Sequence, residues 1–417
     1  MENGLWLINE NSIMSNIQFT EHLCFECRAC EQVCSKHAIS MQDNAEGFSY
    51  PKVDAYKCID CGLCVKVCPA IHADGMKRPS DKVYAAQLGD TTILKKSSSG
   101  GVFSLIAEHV VASKGIVFGA AWDERLQLHH IGVETLDSLQ KLRGSKYVHS
   151  DIGDTFVQTR DYLKSGRLVY YTGTPCQIAG LRLYLRKDYP NLITSDLVCH
   201  GTPSQKLFNL FVKGMENDQN VRLTDYQFRD KKVFGWSCSS SSSSSINKVT
   251  GKKKYHFYDR NMVGYFQAFI KGHVTREDCY QCPFACPERV SDITLADYWD
   301  IYNHHPEFPN RREGVSLMLV NSIKGKELLD SLESKVFLCE STLENALATS
   351  NSNLKAPTPR PLERDNAYKK AFSDFERFRN KYAGYARPEE YYQKAYLNNR
   401  IKSLPVIRTF LKMFGKP

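Results

Sequence analysis

The sequence predicts an α+β multidomain protein, in which a small cysteine-rich module precedes a larger α/β domain with a parallel βαβ unit. Two observations lead to this prediction. Eight cysteines between residues 24 and 68 fall into two runs of the same spacing, and from Val83 onward apolar strands alternate with amphipathic helices. A chain of 417 residues, 42% of them hydrophobic, is long enough for two or three domains. We place the divisions at residues 15–78, 83–165, 166–345 and 346–417.

The eight cysteines predict two iron–sulfur clusters. Each run has two residues between its first three cysteines and three before its last, which is the spacing that holds a cubic cluster. The fourth cysteine of such a run serves the neighbouring cluster. One [4Fe-4S] cluster is therefore assigned to Cys24, Cys27, Cys30 and Cys68, and the other to Cys58, Cys61, Cys64 and Cys34. Zinc knuckles or a disulfide framework are the alternatives, since CxxC alone fits all three.

The residues between the two runs predict a hairpin. The stretches AISMQ and FSYPKVD have the composition of strands and flank the turn DNAEG. The polar residues Pro79, Ser80 and Asp81 then mark the end of the module.

A serine- and glycine-rich turn opens the first long helix of the main domain. Ser97–Gly101 precede a segment whose apolar residues share one helical face, namely Val102, Leu105, Ile106 and Val110. Hydroxyls and free N–H groups at a helix start suit a phosphate, although an ordinary N-cap is the commoner explanation. The strand GIVFGAAW, a helix from Thr135 and a helix from Asp151 to Ser165 are predicted next.

A strand–helix–strand segment predicts the βαβ unit. Leu168–Tyr171 and Leu192–Val198 are apolar enough for buried strands, and Pro175 begins the helix between them. Strands joined by one helix lie parallel. Cys176 and Cys199 therefore emerge at the same edge of the sheet, where open α/β sheets bind ligands.

A third group of cysteines predicts a further metal centre. Cys279, Cys282 and Cys286 form a CxxCxxxC run that supplies the sulfurs missing from a four-ligand site. A third [4Fe-4S] cluster is assigned to Cys176, Cys199, Cys279 and Cys282, with Cys286 as the substitute ligand. Zinc is the competing occupant, because four thiolates suit it equally well. Cys238 and Cys339 are expected to be bystanders.

Charge and hydrophobicity narrow the class of protein. The formal net charge of +9 would favour nucleic-acid binding, but after Glu390 the chain has six basic residues and no acidic one. The excess therefore belongs to a basic helical tail, which suits peripheral contact with an anionic surface or docking on its own domain. We expect no nucleic-acid partner. Without an apolar run of membrane-spanning length or a basic-then-apolar start, we expect a cytoplasmic protein with no transmembrane segment.

The serine-rich segment from Ser237 to Ser245 predicts a mobile loop, because serines cannot pack a core. Just before it, four residues are candidates for ligand contact, with a surface hairpin as the alternative: Arg229, Lys231, Gly235 and Trp236.

Six ordered motifs resemble one known family: SSSGGVFS, GSKYVHS, TGTPCQIAGLR, DLVCHGTPS, FRDKKVFGW and CYQCPFACPERVSDITLADYWDI. Together they are similar to the coenzyme F-420 hydrogenase/dehydrogenase beta-subunit family, which also includes 7-hydroxymethyl chlorophyll a reductase. The resemblance covers about Cys24 to Val320 and does not extend to the tail. Ala296 and Asp300 stand where members often carry glycine, which narrows the approach to a cofactor.

The resemblance implies that residues 83–165 and 166–345 form a flavin oxidoreductase domain that binds FAD beside a [4Fe-4S] centre. It assigns contacts with the flavin nucleotide to Ser98, Ser99, Gly100 and Gly101. It also places five residues around the flavin, namely Lys146, Thr172, Gly173, Thr174 and Asp297.

The sequence therefore favours a ferredoxin-linked, FAD-dependent oxidoreductase. Its donor would be ferredoxin or another redox protein, and its acceptor a small organic molecule such as a deazaflavin or a glycan-pathway intermediate. His200, on the ligand edge of the sheet, is a candidate catalytic proton donor, with a structurally satisfied histidine as the alternative. The alternative functions are an electron-transfer subunit with no substrate of its own, and a zinc-binding interaction module.

Overall fold

The structure is a computed structural model that describes residues 16–17, 24–236, 240–259, 263–306, 308, 312–382, 397 and 401. Within this part the strands form a two-stranded, a three-stranded and an eight-stranded sheet. The basic tail predicted after Glu390 lies almost wholly outside the described residues.

The N-terminal module is built on the predicted hairpin. Strand β1 (Ile39–Asp43) pairs antiparallel with β2 (Ser49–Val53). The side-chain oxygen of Asn44 accepts the N–H groups of Glu46 and Phe48, which closes the turn. Two short helices carry cysteines beside the hairpin, α1 (Ala29–Val33) and α2 (Leu63–Lys66). The hairpin prediction is confirmed.

The remaining strands are, in chain order, β3 (Lys82–Leu88), β4 (Ile116–Trp122), β5 (Leu128–Val133), β6 (Val169–Thr172), β7 (Leu192–Leu197), β8 (Val221–Gln227), β9 (Ser240–Asn247), β10 (Lys253–Asp259), β11 (Ile293–Asp297), β12 (Ser316–Val320) and β13 (Val336–Ser341). The large sheet has the order β13-β3-β12-β11-β7-β6-β4-β5. Strands β4, β6, β7 and β11 are parallel, whereas β5, β12 and β13 run against their neighbours. The sheet is therefore mixed.

The remaining helices are α3 (Thr91–Lys96), α4 (Val102–Ala112), α5 (Thr155–Lys164), α6 (Pro175–Leu185), α7 (Gln205–Gln219), α8 (Lys231–Phe234), α9 (Gly264–Ile270), α10 (Ile301–His304), α11 (Ile323–Leu332), α12 (Leu343–Ala348), α13 (Arg364–Ser373) and α14 (Phe375–Tyr382). Among the described residues, no helix is both long and apolar enough to cross a membrane.

The predicted βαβ unit is present as β6, α6 and β7. Val169 pairs with Leu192 in a parallel register, and Pro175 is the first residue of α6. The Thr174 side chain caps the Gln177 backbone, and the Gln177 side chain caps Thr174 in return, which fixes where the helix begins. The carboxyl ends of β6 and β7 therefore share one edge.

Two predicted helices are shorter than expected. The helix from Thr135 is a single 3₁₀ turn over Ser138–Lys141. The helix expected from Asp151 begins only at Thr155. Asp151 instead forms a parallel β-bridge with His129, and Gly153 has a left-handed φ of 54°, so neither residue is helical.

Helices cover both faces of the large sheet. Residues of α4 and α11 pack against one face, and residues of α5 and α6 pack against the other. Cys27, Ala29 and Val67 of the N-terminal module belong to this second core. The three-stranded sheet of β8, β9 and β10, called the small sheet below, packs in a separate core with α7, α9, α13 and α14. The domain divisions drawn from the sequence stay predictions.

The serine-rich segment was predicted to be a mobile loop, but it is a β-strand over Ser240–Asn247, so the loop prediction is wrong there. It forms β9, the central strand of the small sheet, paired with β8 and β10. Its buried hydroxyls are hydrogen-bonded: Ser242 donates to Asp230, and Ser243 pairs with the Tyr258 hydroxyl. Serine side chains are tolerated inside because each one finds a polar partner.

Candidate functional site

The eight cysteines of the module line two pockets. The first group, Cys24, Cys27, Cys30 and Cys68, lines one pocket, and the second group, Cys34, Cys58, Cys61 and Cys64, lines the other. These are the two sets assigned from the spacing, with the fourth cysteine of each run placed among the sulfurs of the other run. Ligation itself stays a prediction.

Both cysteine runs bend through left-handed residues at matching places. Glu26 and Arg28 each have a φ of 55°, while Asp60 and Gly62, at the equivalent positions of the second run, have φ values of 51° and 70°. A left-handed backbone costs a non-glycine residue about 1–2 kcal/mol. The strain is local to the turns that present three successive sulfurs to one pocket.

Burial governs the chemistry of the thiols in the first pocket. It raises the pKa of Cys24 to about 12 and the pKa of Cys68 to about 11. The pKa of Cys27 is raised well above its usual value by burial, and then by the neighbouring Cys68. Because iron binds the thiolate, loading this pocket must release protons. A buried set of four soft sulfurs fits an iron–sulfur cluster.

The described cysteines form no disulfide. Within the same part of the chain, no group of three or more His, Cys, Asp or Glu side chains is arranged to hold a single metal ion.

A third group of four cysteines gathers at the edge of the large sheet. Cys176 is the second residue of α6, Cys199 follows β7, and Cys279 and Cys282 lie in and just after a 3₁₀ turn. The pKa of Cys282 is raised well above its usual value, first by burial and then by the charges of the other three sulfurs. The tertiary structure thus brings together the four residues assigned to a third cluster.

The other cysteines lie apart from this group. The Cys286 thiol donates to the carbonyl oxygens of Pro283 and Glu288. The Cys339 sulfur lies 3.2 Å from Nδ1 of His305. Cys238 lies outside the described residues.

The close approach of the third group depends on a glycine. Gly201 has a φ of 104°, and a Cβ at this position would lie 2.8 Å from Thr275 Cγ2 and 3.2 Å from the Cβ of Cys279. Its N–H donates to the Cys199 sulfur at 3.4 Å. A side chain at Gly201 would separate Cys199 from Cys279.

The first group of cysteines adjoins the helix that carries Cys176. A Cβ added to Gly180, one turn further along α6, would lie 2.8 Å from Sγ and 2.9 Å from Cβ of Cys27. By contrast, Cys61 of the second group is exposed. The first group is therefore the one that faces the third group through α6.

The turn before α4 is held firmly against the sheet. The Ser99 hydroxyl donates to the Val315 carbonyl at 2.8 Å, and the Gly100 N–H donates to the Ser316 hydroxyl at 2.9 Å. A Cβ at Gly100 would lie 2.2 Å from the Ala86 carbonyl oxygen, so no other residue fits there. Gly101 has a φ of 86° and caps the helix. These contacts fix the turn at the carboxyl end of β3.

Other predicted flavin residues lie along the same edge. The Ser98 hydroxyl accepts the Ser145 N–H at 2.7 Å, which places this turn beside Lys146. Burial lowers the pKa of Lys146 to about 8. Thr172, Gly173 and Thr174 lie at the carboxyl end of β6 and the start of α6.

Sequence reasoning missed a buried histidine that organises this end of β6. His130 Nε2 lies 3.0 Å from the Thr172 carbonyl oxygen, and Nδ1 lies 2.7 Å from the Ser150 hydroxyl. Burial lowers the pKa of His130 to about 4, so the ring is neutral near pH 7. No motif marks this position, because the contact joins strands that are distant in sequence.

Asp297, at the end of β11, is engaged by a cation and an indole. Both terminal nitrogens of Arg229 donate to its carboxylate, and the Trp236 indole N–H donates to it at 2.7 Å. Trp236 stacks on Trp299 with ring centroids 4.8 Å apart. Trp299 is a further residue that sequence reasoning did not single out.

Lys231 reaches the serine turn from α8. Its ammonium group donates to the carbonyl oxygens of Leu94 and Ser99 at 2.9 Å each, and to that of Glu313. Burial lowers the pKa of this lysine to about 7. Three of the candidates named near the serine-rich segment therefore contact predicted flavin residues: Arg229 and Trp236 contact Asp297, and Lys231 contacts Ser99.

His200 makes contacts through both ring nitrogens. Its Nε2 donates to the Ile270 carbonyl at 3.1 Å, and its Nδ1 lies 3.0 Å from the side-chain oxygen of Asn353. These contacts support a structural role, while the proton-donor role stays a prediction.

Replacing His200 with alanine should destabilise the protein by about 1–2 kcal/mol, because the buried Asn353 side chain loses its hydrogen-bond partner. Chemical denaturation measures this change, with iron content and turnover followed in parallel. A proton donor would instead lose turnover at unchanged stability, and unchanged turnover would dismiss that role.

Comparison with known families and structures identifies two regions. Residues 166–346 match the family that describes the C terminus of the coenzyme F420 hydrogenase/dehydrogenase beta subunit, and residues 23–71 match the 4Fe-4S dicluster domain. No curated protein matches the chain. A solved structure that is similar is the F420-reducing [NiFe] hydrogenase complex from Methanosarcina barkeri, at 16% identity and a TM-score of 0.41, covering 73% of this chain and 91% of that chain.

Proposed function

Because residues 166–346 belong to the coenzyme F420 hydrogenase/dehydrogenase beta-subunit family and residues 23–71 form a 4Fe-4S dicluster domain, we propose that this chain is an iron–sulfur flavoprotein oxidoreductase. Its donor is ferredoxin or another redox protein, and its acceptor is an organic molecule such as a deazaflavin or a glycan-pathway intermediate. When bound, the clusters supply one-electron transfer and FAD supplies two-electron chemistry.

The order of the cysteine groups carries the proposal. Cys27 of the first group packs on α6 at Gly180, and the third group begins on the same helix at Cys176. Residues 172–174 lie just before that cysteine, with only Pro175 between them. One continuous element therefore joins the module, the third group and the predicted flavin edge.

The residues around the serine turn fit an anionic dinucleotide. The Ser98 hydroxyl accepts the Ser145 N–H and keeps its own hydrogen for a phosphate oxygen. Lys146 and Lys231 place two basic groups beside the turn, while Ser99 and Gly100 hold its shape. Thr172, Gly173, Thr174 and Asp297 would line the flavin site, and the helix that begins after Gly101 would present its positive end to the phosphates.

Metal and flavin analysis tests this function. Protein purified and reconstituted without oxygen should contain about twelve irons in three clusters per chain, together with extractable FAD. Iron, acid-labile sulfide and released flavin are measured on the same sample. A colourless preparation that carries zinc would instead favour an interaction module.

A second candidate is an electron-transfer subunit with no substrate of its own. The matched family is described as a beta subunit, which favours work within a larger redox complex. The two candidates differ in one measurement, because only the enzyme turns over an organic acceptor when supplied with a reductant and no partner protein.

A further inference from the structure

Arg276 joins the first and third cysteine groups. Its backbone is bonded beside the third group: its N–H donates to the Thr202 carbonyl, and its carbonyl accepts the Cys279 N–H, both at 3.0 Å. Its side chain enters the first group, where Nε donates to the Cys24 carbonyl at 2.7 Å. One residue thus contacts the chain on either side of the gap between the two predicted clusters.

The guanidinium group is buried and fully engaged. Arg276 is 1% exposed. One terminal nitrogen donates to Glu26 at 2.7 Å and the other to the Ser49 carbonyl at 3.2 Å, and the group lies 4.1 Å from the Tyr50 ring centroid. Asp278 accepts from Nε at 3.0 Å and also accepts the Cys24 N–H. Packing and hydrogen bonds leave the side chain one position.

The charge of Arg276 lies beside both groups. Its Nε donates to the Cys24 carbonyl at 2.7 Å, and its backbone carbonyl accepts the N–H of Cys279, three residues along the chain. A buried positive charge stabilises a nearby cluster that has gained an electron.

Resting on the proposed function, we propose that Arg276 is a positioning residue that fixes the first cysteine group against the third and raises the reduction potentials of the clusters at both. The cluster of the second group, at Cys34, Cys58, Cys61 and Cys64, lies outside its influence. A cluster held by the second group, in which Cys61 is exposed, would therefore have the lower potential and would pass its electron toward the interior.

The test is a redox titration of the full-length, reconstituted protein followed by electron paramagnetic resonance. Arg276→Gln should lower the potentials of two of the three clusters and leave the third unchanged. We expect the ratio of reduced to oxidised cluster at a fixed potential to fall about tenfold, equivalent to about 59 mV for a one-electron couple. Signals are assigned with Cys61→Ser and Cys199→Ser, which remove the second and third clusters respectively.

Two variants separate charge from mechanical support. Arg276→Lys keeps the charge but loses most of the fork of hydrogen bonds, so the potentials should stay near those of the wild type. Arg364 is also buried and also ties the module to the main domain, through Glu46 at 2.5 Å and the Thr275 carbonyl at 3.0 Å. Arg364→Gln should loosen the module without changing any potential.

Unchanged potentials in Arg276→Gln, or an equal fall in all three clusters, would overturn the assignment. If Arg276→Gln does not fold, Arg276→Met replaces it, because methionine removes the charge and keeps an apolar side chain in the same space; unchanged potentials in that variant overturn the assignment. Wild-type protein without iron would overturn the proposed function as well, whereas iron-replete protein with unshifted potentials overturns only the role of Arg276.

Discussion

Serine in place of Cys199 is expected to remove about four of the roughly twelve irons per chain and leave the two clusters of the module intact. Cys199 follows β7 and lies among Cys176, Cys279 and Cys282, so its loss leaves three sulfurs for a four-ligand site. Iron and sulfide content, together with the number of paramagnetic signals after reduction, measure the effect. Under the proposed function, electron delivery from a reduced donor to FAD should fall to a small fraction of the wild-type rate.

Cys286→Ser is the matched control, because Cys286 is also partly buried and lies in the same run of sequence. It should keep all of the iron, since its thiol donates to Pro283 and Glu288. If Cys286→Ser loses iron and Cys199→Ser does not, then the third site uses the substitute ligand.

Alanine in place of Gly180 is the second substitution with a large expected effect. The added Cβ would lie 2.8 Å from the Cys27 sulfur, and a cysteine held by a cluster cannot move aside as a flexible side chain would. We expect destabilisation of about 1–3 kcal/mol from overpacking, with partial loss of iron from the first cysteine group. Thermal unfolding of the reconstituted protein and iron content measure these two effects.

Gly214→Ala provides the control for this prediction. Gly214 lies inside α7, and a Cβ there would make only ordinary contacts, the nearest with Phe375 at 3.5 Å. Both substitutions gain about 1 kcal/mol of helix propensity, so the control should be neutral or stabilising. Equal behaviour of the two variants would show that the module does not depend on close contact with α6.

The grouping of the cysteines could be predicted because cluster ligands follow local rules. Two residues between successive cysteines is a distance that the backbone of one turn imposes, and the two pockets contain the predicted sets. The βαβ unit could be predicted equally well, since two apolar strands joined by one helix lie parallel. The hairpin of the module followed from its turn residues.

The serine-rich strand shows where such local rules end. Composition favoured a loop, but β9 is the central strand of its sheet. Its side chains are paired with Asp230 and Tyr258, which come from other elements. Whether a polar strand can be buried depends on partners that only the folded chain supplies.

The sequence by itself determined the candidate chemistry: three sets of cysteines, a turn suited to an anion, and a sheet edge shared by Cys176 and Cys199. Only the tertiary structure decided how the sets face one another. Arg276 meets Cys24 across 252 residues of chain, and Gly180 meets Cys27 through side-chain packing. The spacing of cluster ligands depends on a few adjacent residues. Contacts between residues far apart in sequence arise instead from the burial of whole helices, and they leave no pattern along the chain.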